Sequence, residues 1–168
     1  TSAHTPATVD VSVSGPLSDL VGGVNFFCGL TSLGAAWCWG DNYLGQLGTG
    51  DNIQADSPAA VLVDGLTFSS LAASRETACG VDADGLAWCW GDNSNDQLGV
   101  GALHGVPSSN EPVAVDMPDG ATFDQISIGS YHACAKSSDY NAWCWGNNDF
   151  GQLGIDSPSS RFAPDAVQ

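Results

Sequence analysis

The chain of 168 residues is 43% hydrophobic and contains 21 Gly and 8 Pro, which fits a globular protein with many turns and excludes a disordered chain. Three basic residues stand against 19 acidic residues, for a net charge of -16, so the Lys and Arg clusters that hold nucleic acid or an anionic membrane surface cannot form. No apolar run approaches the length of about 18 residues that crosses a bilayer, and membrane insertion is therefore not expected.

The first predicted element is a short strand that carries a proline, residues 6–9. A hairpin follows, with Cys28 on one strand and Cys38 on the other. Its predicted turn is 32–34, because a three-residue loop that ends in glycine supplies the positive φ of a bulged hairpin. A polar segment then ends in a Gln-Leu-Gly step at residues 46–48.

The same order of elements recurs twice, at a spacing of about 50 residues. The second repeat has its turn at 83–85, and additional strands are predicted at 66–71 and 121–128. About four short strands per repeat are typical of a propeller blade, so we predict an all-β partial propeller over residues 1–168. Its repeat cores are residues 28–48, 79–99 and 134–154, and its outer proline strands are residues 6–9, 58–61, 112–115 and 164–167.

The six cysteines form three pairs, each centred on a predicted turn. Residues placed symmetrically about a hairpin turn lie opposite one another, with Cα atoms about 4.5–5.5 Å apart, which a disulfide can span. A zinc site needs closer ligand spacing, and free thiols are the other alternative. We predict no metal site and three disulfides, which indicate an oxidising compartment. The pairs are Cys28 with Cys38, Cys79 with Cys89, and Cys134 with Cys144.

A tryptophan precedes and follows the second cysteine of each repeat. Side chains alternate across a strand, so both indoles point to one face and the sulfur to the other. Because each face of a propeller blade packs on the next blade, we predict that the indoles form the core between blades, with an exposed aromatic surface for sugars as the alternative. The six residues are Trp37, Trp39, Trp88, Trp90, Trp143 and Trp145.

Polar residues after each Trp strand surround a further predicted turn. The short side chains at residues 41–42, 92–93 and 147–148 can bond nearby backbone groups. The oxygen-rich segment 92–96 leaves calcium binding open, although it lacks the Gly and distal Glu of an EF-hand loop. In the third repeat Tyr140 replaces the turn glycine, and Asn141 is expected to take the left-handed conformation instead.

The run Ala-Trp-Cys-Trp-Gly-Asp-Asn, followed by Gly-Gln-Leu-Gly, closely resembles the repeat of the regulator of chromosome condensation family. The resemblance covers nearly the whole chain and departs at Asp96, where the other repeats have Gly45 and Gly151. It implies a propeller of about seven blades, of which three are present here. The paired cysteines resemble extracellular members of the family, so a secreted or cell-surface protein is expected.

The resemblance implies a protein-binding or structural scaffold module that has no catalytic activity and no cofactor. The variable segments 51–55 and 100–105 would then contact a protein partner. Further propeller repeats, from the same or another chain, are the other expected partners, in a homo-oligomer or an extracellular assembly. Three blades leave one face open at each end, so we expect that they do not form a complete unit by themselves.

The alternative function is an accessory or catalytic domain of an extracellular hydrolase. Carboxylic acids with a raised pKa in a central pocket would favour it. The histidines His4, His104 and His132 do not recur between repeats, and the alignment sets Phe27 and Ala78 opposite His132. The sequence shows no Gly-x-Ser-x-Gly elbow, His-Glu-x-x-His motif or Walker loop, so we predict that the chain is not an enzyme.

Overall fold

A computed structural model describes residues 15–63, 65–101 and 105–168. The predicted strand at 6–9, both His4 and His104, and part of the segment 100–105 lie outside the described residues. Within them, twelve strands form three four-stranded antiparallel sheets, which confirms the all-β prediction. No helix in this part of the chain is long and apolar enough to cross a membrane.

Each sheet is one blade, and its strands follow chain order. The first blade contains β1 (Leu17–Gly22), β2 (Phe26–Thr31), β3 (Ala36–Gly40) and β4 (Ala55–Ala60). The second blade contains β5 (Phe68–Ser74), β6 (Thr77–Asp82), β7 (Ala87–Asp92) and β8 (Ser108–Ala114). The third blade contains β9 (Gln125–Ile128), β10 (His132–Lys136), β11 (Ala142–Gly146) and β12 (Arg161–Ala166).

The proline-bearing strands lie at the outer edges of the blades. Strands β1, β5 and β9 contact one another in series and form the inner edge, while β4, β8 and β12 close each sheet on the opposite side. An edge strand tolerates proline because one side of its backbone makes no ladder hydrogen bonds. The inner strands begin at Phe68 and Gln125, later than the predicted starts at residues 66 and 121.

The hairpins between the second and third strands of each blade place the paired cysteines directly opposite one another. Gly34 and Gly85 have φ values of 82° in the turns, as a bulged hairpin requires. In the third turn the prediction for Asn141 is wrong, because Tyr140 itself takes the left-handed conformation, with φ 67°. The Tyr140 N–H donates to the Ser137 carbonyl, as the Gly34 N–H donates to the Thr31 carbonyl, so the turn geometry fixes the same position in both.

The same ladders correct the alignment of His132. This residue pairs with Gly146, as Phe26 pairs with Gly40 and Thr77 pairs with Gly91. The positions equivalent to His132 are therefore Phe26 and Thr77, rather than Phe27 and Ala78.

The core lies between the blades. One cluster joins the Cys28–Cys38 disulfide of the first blade to Phe68 and Trp90 of the second. A second cluster joins the Cys79–Cys89 disulfide to Phe123 and Trp145 of the third blade. The side of a blade that carries the disulfide, its disulfide face, thus packs on the side of the next blade that carries the indoles, its Trp face. Both interfaces are heterologous, with two different surfaces in contact.

Candidate protein-binding loops and blade interfaces

A buried asparagine holds the long loop that joins the third and fourth strands of each blade. In the first blade, the Asn42 Nδ2 donates to the backbone carbonyls of Asp51 and Ile53, at 3.0 and 3.1 Å. Its Oδ1 accepts the Leu47 N–H at 3.0 Å. A single amide therefore fixes both the variable loop and the Gln-Leu-Gly turn.

The other two blades repeat this arrangement. The Asn93 Nδ2 donates to the Val106 carbonyl at 2.8 Å, and the Asn148 Nδ2 donates to the Ser157 carbonyl at 2.6 Å. Because all three asparagines are 4% exposed or less, leaving any of these amide groups unpaired would carry a desolvation penalty. The described parts of the variable loops are therefore held by the blades that carry them.

The first loop is also supported by the neighbouring blade. The Gly50 N–H donates to the Asn110 carbonyl at 2.8 Å, and the Asn110 Nδ2 donates to the Asn52 Oδ1 at 3.2 Å. Ile53, next to this contact, is 71% exposed. The loop thus presents an apolar side chain from a fixed backbone, a geometry that favours binding to another protein.

These loops define the loop end of the blades: residues 41–54, 93–101 with 105–107, and 147–160. Its exposed aromatic side chains are Tyr43 in the first loop and Phe150 in the third, at 80% and 93% exposure. The sequence pattern predicts recognition segments at 51–55 and 100–105 but not the third loop, at 155–160. The recurring asparagine at residue 148 was the signal that could have found it.

Each glutamine of the Gln-Leu-Gly steps stabilises its own turn. The side-chain oxygens of Gln46, Gln97 and Gln152 accept the backbone N–H two residues earlier, at 2.8–2.9 Å. In the second blade, the Asp92 carboxylate accepts hydrogen bonds from Ser94 and Gln97. Both of its oxygens are therefore used in hydrogen bonds within the loop. Among the residues described by the structure, no group of three or more His, Cys, Asp or Glu side chains is placed to hold a metal ion.

The backbone carbonyl of the same glutamine accepts an indole from the next blade. Trp90 Nε1 donates to the Gln46 carbonyl at 3.0 Å, and Trp145 Nε1 donates to the Gln97 carbonyl at 2.9 Å. A Cβ on Gly48 would lie 2.9 Å from the Trp90 Nε1, and the same atom on Gly99 would lie 2.6 Å from the Trp145 Nε1. The glycine of the Gln-Leu-Gly step is therefore needed for the indole to approach. We call this carbonyl and glycine pair the indole site.

The structure places the six predicted tryptophans in different surroundings. Trp90 and Trp145 are completely buried between blades. Trp39 is half-buried on the open Trp face of the first blade and stacks on Phe27, with ring centroids 6.2 Å apart.

The first tryptophan of each pair is half-buried. Trp88 Nε1 donates to the Asp82 carboxylate at 2.9 Å. Trp143 lies 5.4 Å from Phe123 between ring centroids. The buried Nε1 of Trp37 has no hydrogen-bond partner among the described residues.

The three disulfides have the predicted pairing, Cys28–Cys38, Cys79–Cys89 and Cys134–Cys144. Their Cα atoms lie 4.0–4.1 Å apart, slightly closer than expected. The first two disulfides are completely buried between blades, whereas Cys134 is half-buried on the open disulfide face of the third blade. Each covalent link therefore lies within one blade.

The opposite end of the blades, the turn end, has two shallow clefts of about 320 and 400 Å³. Aspartates contribute to the walls of both clefts, among them Asp82, Asp84 and Asp124 in one and Asp119 and Asp139 in the other. Hydrogen bonds from Ser137 and Asn141 lower the pKa of Asp139. A general acid needs a raised pKa, so this shift does not favour the hydrolase alternative.

Comparison with known proteins identifies one family along the chain. The profile described as "Regulator of chromosome condensation (RCC1) repeat" matches residues 34–82, 84–135 and 141–168. A second profile with this description matches residues 18–46, 68–97 and 123–152. The ultraviolet-B receptor UVR8 of Arabidopsis thaliana is 27% identical over 133 residues, which cover 79% of this chain and 29% of the receptor.

Solved structures show the same fold. Human WBSCR16 matches 94% of this chain with a TM-score of 0.84 and 20% identity, and Prp20p of Saccharomyces cerevisiae matches 90% with a TM-score of 0.78 and 20% identity. The CRINKLY WD40 ectodomain of the Arabidopsis thaliana receptor kinase ACR4 matches 79% with a TM-score of 0.53 and 25% identity. This chain spans 38–41% of the three structures.

Proposed function

The chain belongs to the regulator of chromosome condensation (RCC1) repeat family, and we propose that it is a non-enzymatic, protein-binding part of a longer propeller that works outside the cell or at its surface. The loop end is the observation that carries this proposal. The described parts of three variable loops are held there by Asn42, Asn93 and Asn148. An ordered backbone with exposed apolar side chains loses little conformational entropy when it binds.

The disulfides support an extracellular location. All six cysteines are paired, and such bonds form and persist in oxidising environments. The similar ACR4 structure is the ectodomain of a receptor kinase. The acidic charge of -16 favours a partner with a basic or neutral surface, because charge complementarity speeds association.

Two other features support the binding role. Prp20p, which has a similar structure, binds Gsp1p and histones. A structurally similar propeller therefore binds other proteins. The open Trp face of the first blade and the open disulfide face of the third are surfaces on which further propeller repeats could pack. We therefore propose two kinds of partner: another protein at the loop end, and further blades at the open faces.

Cross-linking and mass spectrometry with the immobilised chain, in the extracellular fraction of its source, tests binding at the loop end. We expect partner cross-links at residues 41–54 and 147–160, and their loss in an Ile53→Ser, Phe150→Ser variant. Leu33→Ser is the matched control, because Leu33 is 70% exposed at the turn end. Partner cross-links that persist in the loop variant, or that disappear in the control, would contradict the proposed binding surface.

A further inference from the structure

The open disulfide face of the third blade keeps an indole site. Gln152 and Gly154 occupy the positions of Gln46 and Gly48 in the first blade, and Leu153 between them is 1% exposed. A Cβ on Gly154 would meet only Val167, at 3.1 Å, instead of an indole ring. The face therefore has room for a tryptophan at the place where both other blades receive one.

The rest of this face differs in polarity from the other two disulfide faces. Lys136 pairs with Ala142 across the hairpin, as Leu30 pairs with Ala36 and Val81 with Ala87. The two aliphatic residues are 5% and 0% exposed, in contact with the next blade. A blade that covered Lys136 in the same way would bury an ammonium group, which requires an opposite charge.

The turn of the third blade also differs from the others in shape. Tyr140 stands where the other blades have Gly34 and Gly85, whose carbonyls accept the Phe68 and Phe123 N–H groups of the next blade at 2.8 Å. A Cβ on Gly34 would lie 2.7 Å from the Thr67 Cβ. Tyr140 has this Cβ, so a residue that has a Cβ of its own, threonine included, does not fit at the position of Thr67 in the blade that follows.

The open Trp face of the first blade does not match this surface. Its inner strand presents Leu17 and Leu20, which lie at the positions of Phe68 and Leu71. Phe27 occupies the position of Ala78 and Ala133, which are completely buried between blades. Docking of a second copy would thus set apolar side chains on Lys136 and add bulk to the interface.

We propose that the open disulfide face of the third blade docks a tryptophan-bearing propeller blade with a carboxylate opposite Lys136 and a glycine opposite Tyr140, and that it rejects the first blade of a second copy. This assignment rests on the proposed function only in that the chain is part of a longer propeller. Binding at the loop end is tested with other variants, so either proposal can fail alone.

Sedimentation velocity of the chain and of a Phe27→Ala, Lys136→Val, Tyr140→Gly variant tests the rejection. Each change introduces the residue present at the same position of another blade, and circular dichroism verifies the fold. We expect head-to-tail oligomers of the triple variant at a concentration at least about tenfold lower than for the wild type. Adding Trp39→Ala should abolish them. Equal association of the wild type and the triple variant would overturn the proposal.

A second variant, Leu20→Glu with Phe27→Ala and Tyr140→Gly, tests the carboxylate. Leu20 is 55% exposed here, whereas the equivalent Leu71 and Ile126 are 7% and 4% exposed at the interfaces, so the new carboxylate would face the docked blade. We expect oligomers that weaken as NaCl rises from about 0.05 to 0.5 M and that disappear when Lys136→Glu is added. Failure of this variant to associate, or association that Lys136→Glu leaves unchanged, would contradict the carboxylate assignment.

Discussion

Replacing Trp145 with phenylalanine removes the hydrogen bond that joins the third blade to the second. The Trp145 Nε1 donates to the Gln97 carbonyl at 2.9 Å, and both residues are essentially buried. Leaving that carbonyl without a donor costs about 1–3 kcal/mol. The smaller ring also loses about 40 Å² of buried apolar area, worth about 1 kcal/mol. We therefore expect the free energy of unfolding to fall by about 2–4 kcal/mol.

Trp39→Phe is the matched control for this substitution. Trp39 occupies the same position in the first blade, but it is half-buried, and its Nε1 makes no hydrogen bond within residues 15–63, 65–101 and 105–168. We expect a loss of about 1 kcal/mol or less. Urea denaturation of the 168-residue chain, followed by far-ultraviolet circular dichroism, measures both costs without relying on indole fluorescence. Costs that agree within about 0.5 kcal/mol would refute the role assigned to the indole site.

Three further predictions concern the disulfides, the loops and pH. Under native conditions dithiothreitol should reduce Cys134–Cys144 before the two disulfides buried between blades. Alkylation followed by mass spectrometry gives the order of reduction. Simultaneous reduction of all three disulfides would contradict this prediction. Asn42→Ala should speed hydrogen exchange at residues 49–53 and cost about 1–3 kcal/mol. Asn52→Ala, which removes two exposed hydrogen bonds, should have a smaller effect. Burial lowers the pKa of His132, so the unfolded state binds more protons than the folded state at mildly acidic pH. The free energy of unfolding should therefore decrease as pH falls below about 6.5. An equal decrease in the His132→Phe variant would show that other groups cause it.

Local chemistry explains why the blade architecture can be predicted from the sequence. The symmetric placement of Cys28 and Cys38 about a glycine-bearing turn fixes the hairpin register, and alternation along the strand then separates the sulfur from the two indoles. In the third turn, the propensity of asparagine for positive φ predicts Asn141, whereas Tyr140 adopts this conformation. The hydrogen-bonding pattern of the turn determines which position takes the positive φ.

Contacts between distant segments could not be predicted in this way. Trp90 lies 44 residues from its acceptor, Gln46, and Trp145 lies 48 residues from Gln97. The sequence shows that glutamine and glycine recur, but only the packed blades show that a backbone carbonyl and a missing Cβ together form an indole site. The support that Asn110 gives to the first loop is equally non-local.

The blade interfaces also explain the residues at which one repeat differs from the others. Phe27, Lys136 and Tyr140 look like ordinary variation until the ladders place them where other blades have alanine, an aliphatic residue and glycine. Those equivalent positions lie in the two blade interfaces. Repeated residues therefore build the common fold and its indole sites, whereas the departures distinguish one blade face from another. If every blade had the same Trp face and the same disulfide face, the blades could pair in any order. Differences of this kind therefore allow a propeller to select the correct neighbour for each blade.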